Sequence, residues 1–426
     1  MKFANLNDPT DSVSFEQALQ QGLGRNNGLY FPKHIPLLTE NEVSTLAGAS
    51  RQQTARVILG KWLEDEVPRA DLEKIIAKAS TFETPVVSVG DKKVLELFHG
   101  PTMAFKDVAA RYLAALTSYF NRKNDRYSTV LVATSGDTGG AIAHGFGNID
   151  RVSVVVLYPK GRVSRLQQDQ LRRVAPNVQT LEVNGSFDDC QLLVKQALSD
   201  EELSNQLNLT SANSINIGRL LPQSTYYAFA CGQLGRQTGR FVVPSGNLGN
   251  LTGGMLAHSM GVPIPGFLAA TNANDAFVQY MKTNLYQPAA SQPTISNAMD
   301  VGAPNNISRI ISLLNLQKPA SVTACKVSDT ETVTTIKQVY NDTGYLLDPH
   351  TAVAWSASDS TPSLSDHPDV IVATASPLKF AEEIFKKTGI KIDNTKEIES
   401  LHARPERYIE IDNSIDKLKQ ILKGVH

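Results

Sequence analysis

The pattern of apolar and polar positions changes character along the chain. Over residues 1–90, apolar residues recur mostly at helical spacing. This predicts amphipathic helices near Val13–Leu23 and Glu64–Ser80, with a turn-rich Gly-Arg-Asn-Asn-Gly segment between them. From about Val94 onward, short β-branched runs alternate with helix-period segments. The predicted strands are Thr129–Ala133, Val152–Leu157, Val178–Val183, Phe241–Val243 and Asp369–Ala373. Each runs into a turn and then a helix, near Asp188–Leu198, Asn250–Met260 and Leu378–Lys387 for the last three. Continuous apolar strands signal burial on both faces, and strand–helix alternation calls for parallel sheets with crossover helices. The expected fold class is therefore α/β: two parallel-sheet lobes and a mainly helical N-terminal segment over 1–90. The larger lobe is expected from 91–125 with 225–426, the smaller from 126–224. In open sheets of this kind ligands sit beyond the carboxyl ends of the strands, so chemistry is expected in the strand-to-helix turns.

Two turns have a composition suited to that. Ser135-Gly-Asp-Thr-Gly-Gly140 and Ser245-Gly-Asn-Leu-Gly249 each follow a predicted strand and open a helix. Glycine allows close backbone approach, and the free amides of a helix start favour an anion. One such turn is most simply a tight turn; two similar ones in one chain shift the balance towards a ligand. Neither ends in the Gly-Lys-Ser/Thr of a nucleotide loop, and neither has dinucleotide spacing.

Lys106 stands in Phe98-His-Gly-Pro-Thr-Met-Ala-Phe-Lys-Asp107, before a helix with apolar positions Val108, Tyr112, Leu113 and Leu116. Most lysines are solvated surface residues. A partly desolvated lysine at a helix start would instead have a lowered pKa suited to Schiff-base chemistry. Such a lysine with two anion-cradling turns is the equipment of a pyridoxal-phosphate enzyme, one turn taking the cofactor phosphate and the other a substrate carboxylate. Thr374, after the 369–373 strand, could place a neutral hydroxyl against a pyridine nitrogen, although a capping role would look the same. Asn213-Ser-Ile-Asn216 and Arg219 offer amides, a hydroxyl and a guanidinium that suits a phosphate. His99 reads most simply as a histidine fixing the turn before Lys106.

Composition removes other classes. Over 426 residues, 41 Lys and Arg nearly balance 42 Asp and Glu, leaving a formal charge of −1 and no drive towards nucleic acid or an anionic membrane. The longest apolar run, around Val152–Tyr158, is too short to span a bilayer, and the N-terminus lacks the apolar stretch of a signal peptide. Cys190, Cys231 and Cys325 form neither a disulfide framework nor a zinc pattern, and the eight histidines show no metal spacing. Buried thiols in a reducing, cytoplasmic setting, and no metal, are the expectation.

At these residues the sequence resembles the threonine synthases, fold-type II pyridoxal-phosphate enzymes. LFHGPTMAFKD is similar to the family's lysine motif, ATSGDTGGA to its substrate loop and PSGNLG to its cofactor-phosphate loop. NSINIGR is similar to its substrate-phosphate segment and TASPLKF to the element facing the pyridine nitrogen. VSFEQALQQGLGRNNGLYFP resembles the N-terminus of the longer members, so the match runs in order from about residue 13 to 380. The resemblance implies a reaction of O-phospho-L-homoserine with water to give L-threonine and phosphate, in a monomer or homodimer with the cofactor between its lobes. It implies that Lys106 forms the Schiff base with pyridoxal 5'-phosphate and then shuttles protons. Gly246, Asn247, Leu248 and Gly249 would hold the cofactor phosphate, and Thr374 the pyridine nitrogen. Ser135, Asp137 and Thr138 would meet the substrate carboxylate and the cofactor's phenolic side, Asp137 lying on the cofactor. Asn213, Ser214 and Arg219 would hold the substrate phosphate. Two positions depart: Ser376 stands where many members carry His, and Pro222 follows Arg219 closely. The same scaffold could work as a phospholyase releasing 2-oxobutyrate, or persist as an inactive metabolite-binding homologue; the complete lysine motif argues against the latter.

Overall fold

The structure is a computed structural model that describes residues 1–363 and 366–424. Its strands, in chain order, begin with β1 (Phe3–Asn5), β2 (Asp8–Val13), β3 (Tyr30–Pro32), β4 (Val86–Val89) and β5 (Lys92–Glu96). Next come β6 (Ser128–Ala133), β7 (Val152–Pro159), β8 (Val178–Asn184) and β9 (Leu209–Ser211). The last are β10 (Phe241–Pro244), β11 (Phe267–Thr271), β12 (Val322–Lys326), β13 (Val370–Ala373) and β14 (Tyr408–Asp412).

The chain divides into two compact units. The first comprises Met1–Lys33, Lys106–Arg219 and Asn394–His426; the second comprises His34–Phe105 and Leu220–Asp393. The first holds a parallel five-stranded sheet in the order β14-β8-β7-β6-β9. Its central strands are apolar runs with both faces covered, as Val154, Val155, Val156 and Leu157 in succession are fully buried. The second holds a six-stranded sheet in the order β12-β11-β10-β13-β5-β4, parallel except for the antiparallel β4 at its edge. The two parallel α/β sheets are those expected from the alternating pattern.

The division of the chain differs from the expected boundaries at 90, 125 and 225. Residues 1–33 do not form a separate helical segment. They form the small antiparallel sheet β2-β1-β3 with one helix, Phe15–Gln21, and belong to the first unit. These strands are short, and β2 carries Asp8, Pro9 and Asp11, so a strand signal in the side chains is weak. Residues 34–105 belong to the second unit, where the helix expected near Glu64–Ser80 is Arg69–Ala79 and a further helix, Arg51–Leu63, precedes it. A capping box of Ser50 with Gln53 starts one, and Pro68 precedes the other. The C-terminal residues also return to the first unit: β14 pairs along the whole of Thr180–Asn184. Its sequence, Tyr-Ile-Glu-Ile-Asp, lacks the apolar continuity of the central strands because it lies at the sheet edge.

Cys190 and Cys231 are buried and free, and burial pushes each thiol up to about 12, so both are inert; Cys325 is free and partly exposed. Among the described residues, no helix is long and apolar enough to cross a membrane, and no three His, Cys, Asp or Glu side chains are grouped to hold a metal ion.

Candidate active site

In the first unit, β6 delivers the chain into Thr134 and the Ser135–Gly140 turn, and the helix Asp137–Gly145 follows. Thr134 organises the turn: its Oγ1 accepts the Gly136 N–H at 2.9 Å and the Gly139 N–H at 2.8 Å. Gly136 has φ +134°, a conformation open to glycine, and a Cβ there would lie 2.5 Å from Gln167 Cδ. Asp137 is thereby turned inward, 4% exposed, with Oδ1 accepting the Gln167 amide at 2.9 Å. Its Oδ2 lies 3.5 Å from Lys106 Nζ.

Lys106 reaches that position because it is the first residue of the helix Lys106–Lys123, which packs closely against the helix Asp137–Gly145. The approach depends on small residues, since a Cβ on Gly145 would meet the Ala110 backbone at 3.2 Å. Ser135 and Thr138 are the partly exposed side chains of the turn, and neither hydroxyl makes a hydrogen bond among the described residues. The turn therefore brings an amine, a carboxylate and two uncommitted hydroxyls together at two helix starts.

The 211–219 segment is stitched to the same strand end. Asn213 Nδ2 donates to the Ala133 carbonyl at 2.9 Å, and the Ala133 N–H donates to Asn213 Oδ1 at 3.4 Å. Arg219 is buried, with Nη1 donating to the Ala212 carbonyl at 2.6 Å, while Ser214 is partly exposed. Asn216 ties this segment to the N-terminal helix, because its amide donates to the carbonyls of Leu19 and Ser211, each at 2.9 Å. The N-terminal residues thus support the segment that carries Arg219.

In the second unit, β10 ends at Pro244 and the Ser245–Gly249 turn opens the helix Gly249–Ser259. Leu248 adopts the left-handed conformation (φ 60°, ψ 4°), which aims successive amides to one side. The first i→i−4 bond runs from the Thr252 N–H to the Leu248 carbonyl, so the amides before it are those that helix starts leave for a ligand. A Cβ on Gly246 would approach Met299 Cα to 2.8 Å. The turn Asn297–Met299 is itself held by His350, whose Nε2 accepts the Ala298 N–H at 3.1 Å while Nδ1 faces Asp348 Oδ1 at 2.8 Å.

Thr374 is 6% exposed, and its hydroxyl makes no hydrogen bond among the described residues; its carbonyl accepts the Phe105 N–H at 2.8 Å. Ser376 caps the following 3-10 turn by accepting the Leu378 N–H at 3.3 Å. His99 Nε2 contacts Glu96 Oε2 at 2.7 Å, and Tyr345 donates to the other carboxylate oxygen at 2.7 Å. Pro222 lies in a separate 3-10 turn, Leu221–Gln223, that precedes the helix Ser224–Leu234.

The first unit sets Lys106 beside Asp137 and ties Asn213 to the end of β6, and the second places the Ser245–Gly249 turn and Thr374 after the adjacent strands β10 and β13. The supporting residues Gln167 and His350 were not legible as site residues, and Thr134 and Asn216 were legible only as members of their motifs. Gln167 gave a partial signal as the third residue of a Ser164 capping box, whose Oε1 caps Ser164 while Nε2 holds Asp137. Gly136→Ala is expected to destabilise the cofactor-free protein by about 1–3 kcal/mol in urea unfolding. Gly140→Ala, with ordinary contacts starting at 3.5 Å, should be neutral or slightly stabilising. Equal behaviour of the two variants would contradict this account of the turn.

Residues 93–376 match the family described as pyridoxal-phosphate dependent enzyme. Residues 2–80 match the threonine synthase N terminus and residues 351–422 the threonine synthase C-terminal family. The fold and this match define a pyridoxal-phosphate-dependent enzyme of fold type II. Threonine synthase of Haemophilus influenzae is 40% identical over 99% of both chains. The crystal structure of Escherichia coli threonine synthase has a TM-score of 0.92 at 39% identity, covering 100% of both chains. The pyridoxal-phosphate-bound threonine synthase of Brucella melitensis has the same TM-score at 33% identity, covering 100% of this chain and 99% of that one. This chain belongs to the threonine synthase family. Maize serine racemase, at 16% identity and a TM-score of 0.56, shares the fold alone.

Proposed function

We propose that this enzyme converts O-phospho-L-homoserine and water into L-threonine and phosphate by γ-elimination followed by β-addition. Pyridoxal phosphate, when bound, supplies an electron sink for charge developing at the substrate Cα. The residues fit that group: an amine at a helix start, a turn of successive amides for a phosphate, and a buried hydroxyl at Thr374 with no protein partner among the described residues.

Lys106 would be the amine that holds the cofactor aldehyde, and its Nζ, when free, would take the substrate Cα proton and return protons to the substrate carbons. Asp137 would hold that ammonium in place when it is charged and would face the phenolic side of the cofactor. Ser135 and Thr138 take the substrate carboxylate with their free hydroxyls and the adjoining amides. Gly246, Asn247, Leu248 and Gly249 would hold the cofactor phosphate, and the Thr374 hydroxyl would meet the pyridine nitrogen without adding charge. Asn213, Ser214 and Arg219 hold the substrate phosphate as it leaves. Asn213 has a second amide hydrogen beyond the one given to the Ala133 carbonyl, and the Arg219 guanidinium is a charged, forked donor that suits a phosphate. The three unbridged cysteines support a cytoplasmic location.

The single observation that carries the reading is the placement of Lys106 Nζ 3.5 Å from Asp137 in a turn whose hydroxyls are uncommitted. Product analysis with O-phospho-L-homoserine should give threonine and phosphate in equal amounts. Predominant release of 2-oxobutyrate would reassign the chain as a phospholyase. Arg219→Ala should lower kcat/KM by about 10²–10³ while the cofactor absorbance is retained. A variant that turned over normally would remove Arg219 from the substrate phosphate.

A further inference from the structure

Behind the Ser245–Gly249 turn lies a buried charge that the reaction steps above do not use. Arg309, on the helix Ile307–Leu314, is 0% exposed, and its Nη1 donates to Asn306 Oδ1 at 2.8 Å. Asn306 carries the connection onward: its Nδ2 donates to the Asn247 carbonyl at 3.0 Å and its N–H to the same oxygen at 3.3 Å. The neighbouring Asn305 N–H donates to Asn247 Oδ1 at 3.2 Å. The start of the 307–314 helix is thereby clamped onto one residue of the turn.

That clamp has a directional consequence. A trans peptide holds its C=O and N–H antiparallel in one plane. Pinning the Asn247 carbonyl towards Asn306 therefore aims the Leu248 N–H to the opposite side, and the left-handed Leu248 adds the next amide to the same concavity. Each link donates to the next, so a cation at the far end polarises every bond in the same sense and strengthens the last N–H as a donor to an anion. Desolvation pushes the Arg309 guanidinium down to about 9, which leaves it protonated at neutral pH. Burying such a cation is costly, and an apolar side chain of similar volume would pack there at lower cost.

We propose that Arg309 is a positioning residue for the cofactor phosphate, acting through Asn306 on the Asn247–Leu248 peptide to orient and polarise the amides that meet the anion. The proposal rests on the reading of the Ser245–Gly249 turn as the phosphate site. The test is equilibrium binding of pyridoxal phosphate and of pyridoxal, which lacks the phosphate, to cofactor-free protein. Arg309→Met and Asn306→Ala should each weaken pyridoxal phosphate by roughly 10- to 100-fold, the range of a hydrogen bond to a charged group, and leave pyridoxal unchanged. Arg309→Lys should recover part of the loss, and the phosphorus resonance of the bound cofactor should move in the other two variants. Asn306→Ala keeps the buried guanidinium and so serves where Arg309→Met fails to fold. Equal weakening of both ligands, or no weakening of either, would overturn the proposal. A wild type that bound pyridoxal as tightly as its phosphate would instead overturn the assignment of the turn, which is a separate failure.

Discussion

Lys106→Ala is expected to lose the visible absorbance of the cofactor-loaded protein and about 10³–10⁴ in kcat. The residue begins a helix whose buried face is made by Val108, Ala109, Tyr112, Leu113 and Leu116, none of which the substitution alters. It does leave the buried Asp137 facing Gln167 without the neighbouring cation, and some stability is lost with it. Lys106→Arg separates the two effects. A guanidinium keeps the charge beside Asp137 and restores stability, yet it is not deprotonated and does not attack an aldehyde, so turnover stays lost. The rival amine is Lys379, in the resembling TASPLKF element, buried and donating to the Thr102 carbonyl at 2.7 Å. Borohydride reduction of the loaded protein followed by peptide mapping decides the matter. Cofactor fixed to Lys379, or an Ala variant that kept its colour, would end the role given to Lys106.

What could be read in advance follows from where the physical signal lies. Strands covered on both faces must be apolar throughout, so β6, β7, β8, β10 and β13 were visible as runs, and the turns after β6, β10 and β13 followed from them. The chemistry-bearing residues in those turns are glycines, hydroxyls, amides and one lysine at helix starts, which is a local pattern. Edge strands are under no such constraint. β14 and β2 carry charged and polar residues along their length, and no period in the sequence marked them.

The partition of the chain was hidden for a related reason. Which unit a segment joins depends on pairings far apart in sequence, such as Tyr408 with Thr180 or Phe3 with Pro32, and single-segment periodicity carries no information about them. Supporting residues were hidden too. Gln167, Asn306 and His350 act through a few hydrogen bonds to backbone or side chain, most of them at long separation in sequence. Taken alone, each is an ordinary polar residue near a helix end. Arg309 was least visible of all, since an arginine in an apolar helix reads as a surface residue until its burial is known.

Asp369→Ala is expected to cost about 3–5 kcal/mol, a loss set by the charge it leaves behind rather than the contact it removes. Asp369 and Arg240 are 6% and 1% exposed and meet in a paired geometry, Nη2 to Oδ2 at 2.7 Å and Nε to Oδ1 at 3.2 Å. Ser358 donates to the same carboxylate at 2.7 Å, and Arg240 also donates to the carbonyls of Thr361 and Pro362, each at 3.0 Å. The pair stands at the entry to β13 and β10, where the Val370 N–H donates to the Arg240 carbonyl at 2.8 Å. This is the opposite end of both strands from Thr374 and the Ser245–Gly249 turn. The loss should therefore appear as a fall of roughly 10 °C in the melting of the cofactor-free protein. At temperatures where the variant is folded, its affinity for pyridoxal phosphate should be that of the wild type. Asp369→Asn should lose less, because the amide oxygen still accepts from the guanidinium. Arg240→Met combined with Asp369→Leu should recover most of the stability, since no buried charge is then left unpaired. A double variant as unstable as Asp369→Ala would mean that the pair holds the strand entries through its geometry, and that the uncompensated charge is the smaller part of the cost.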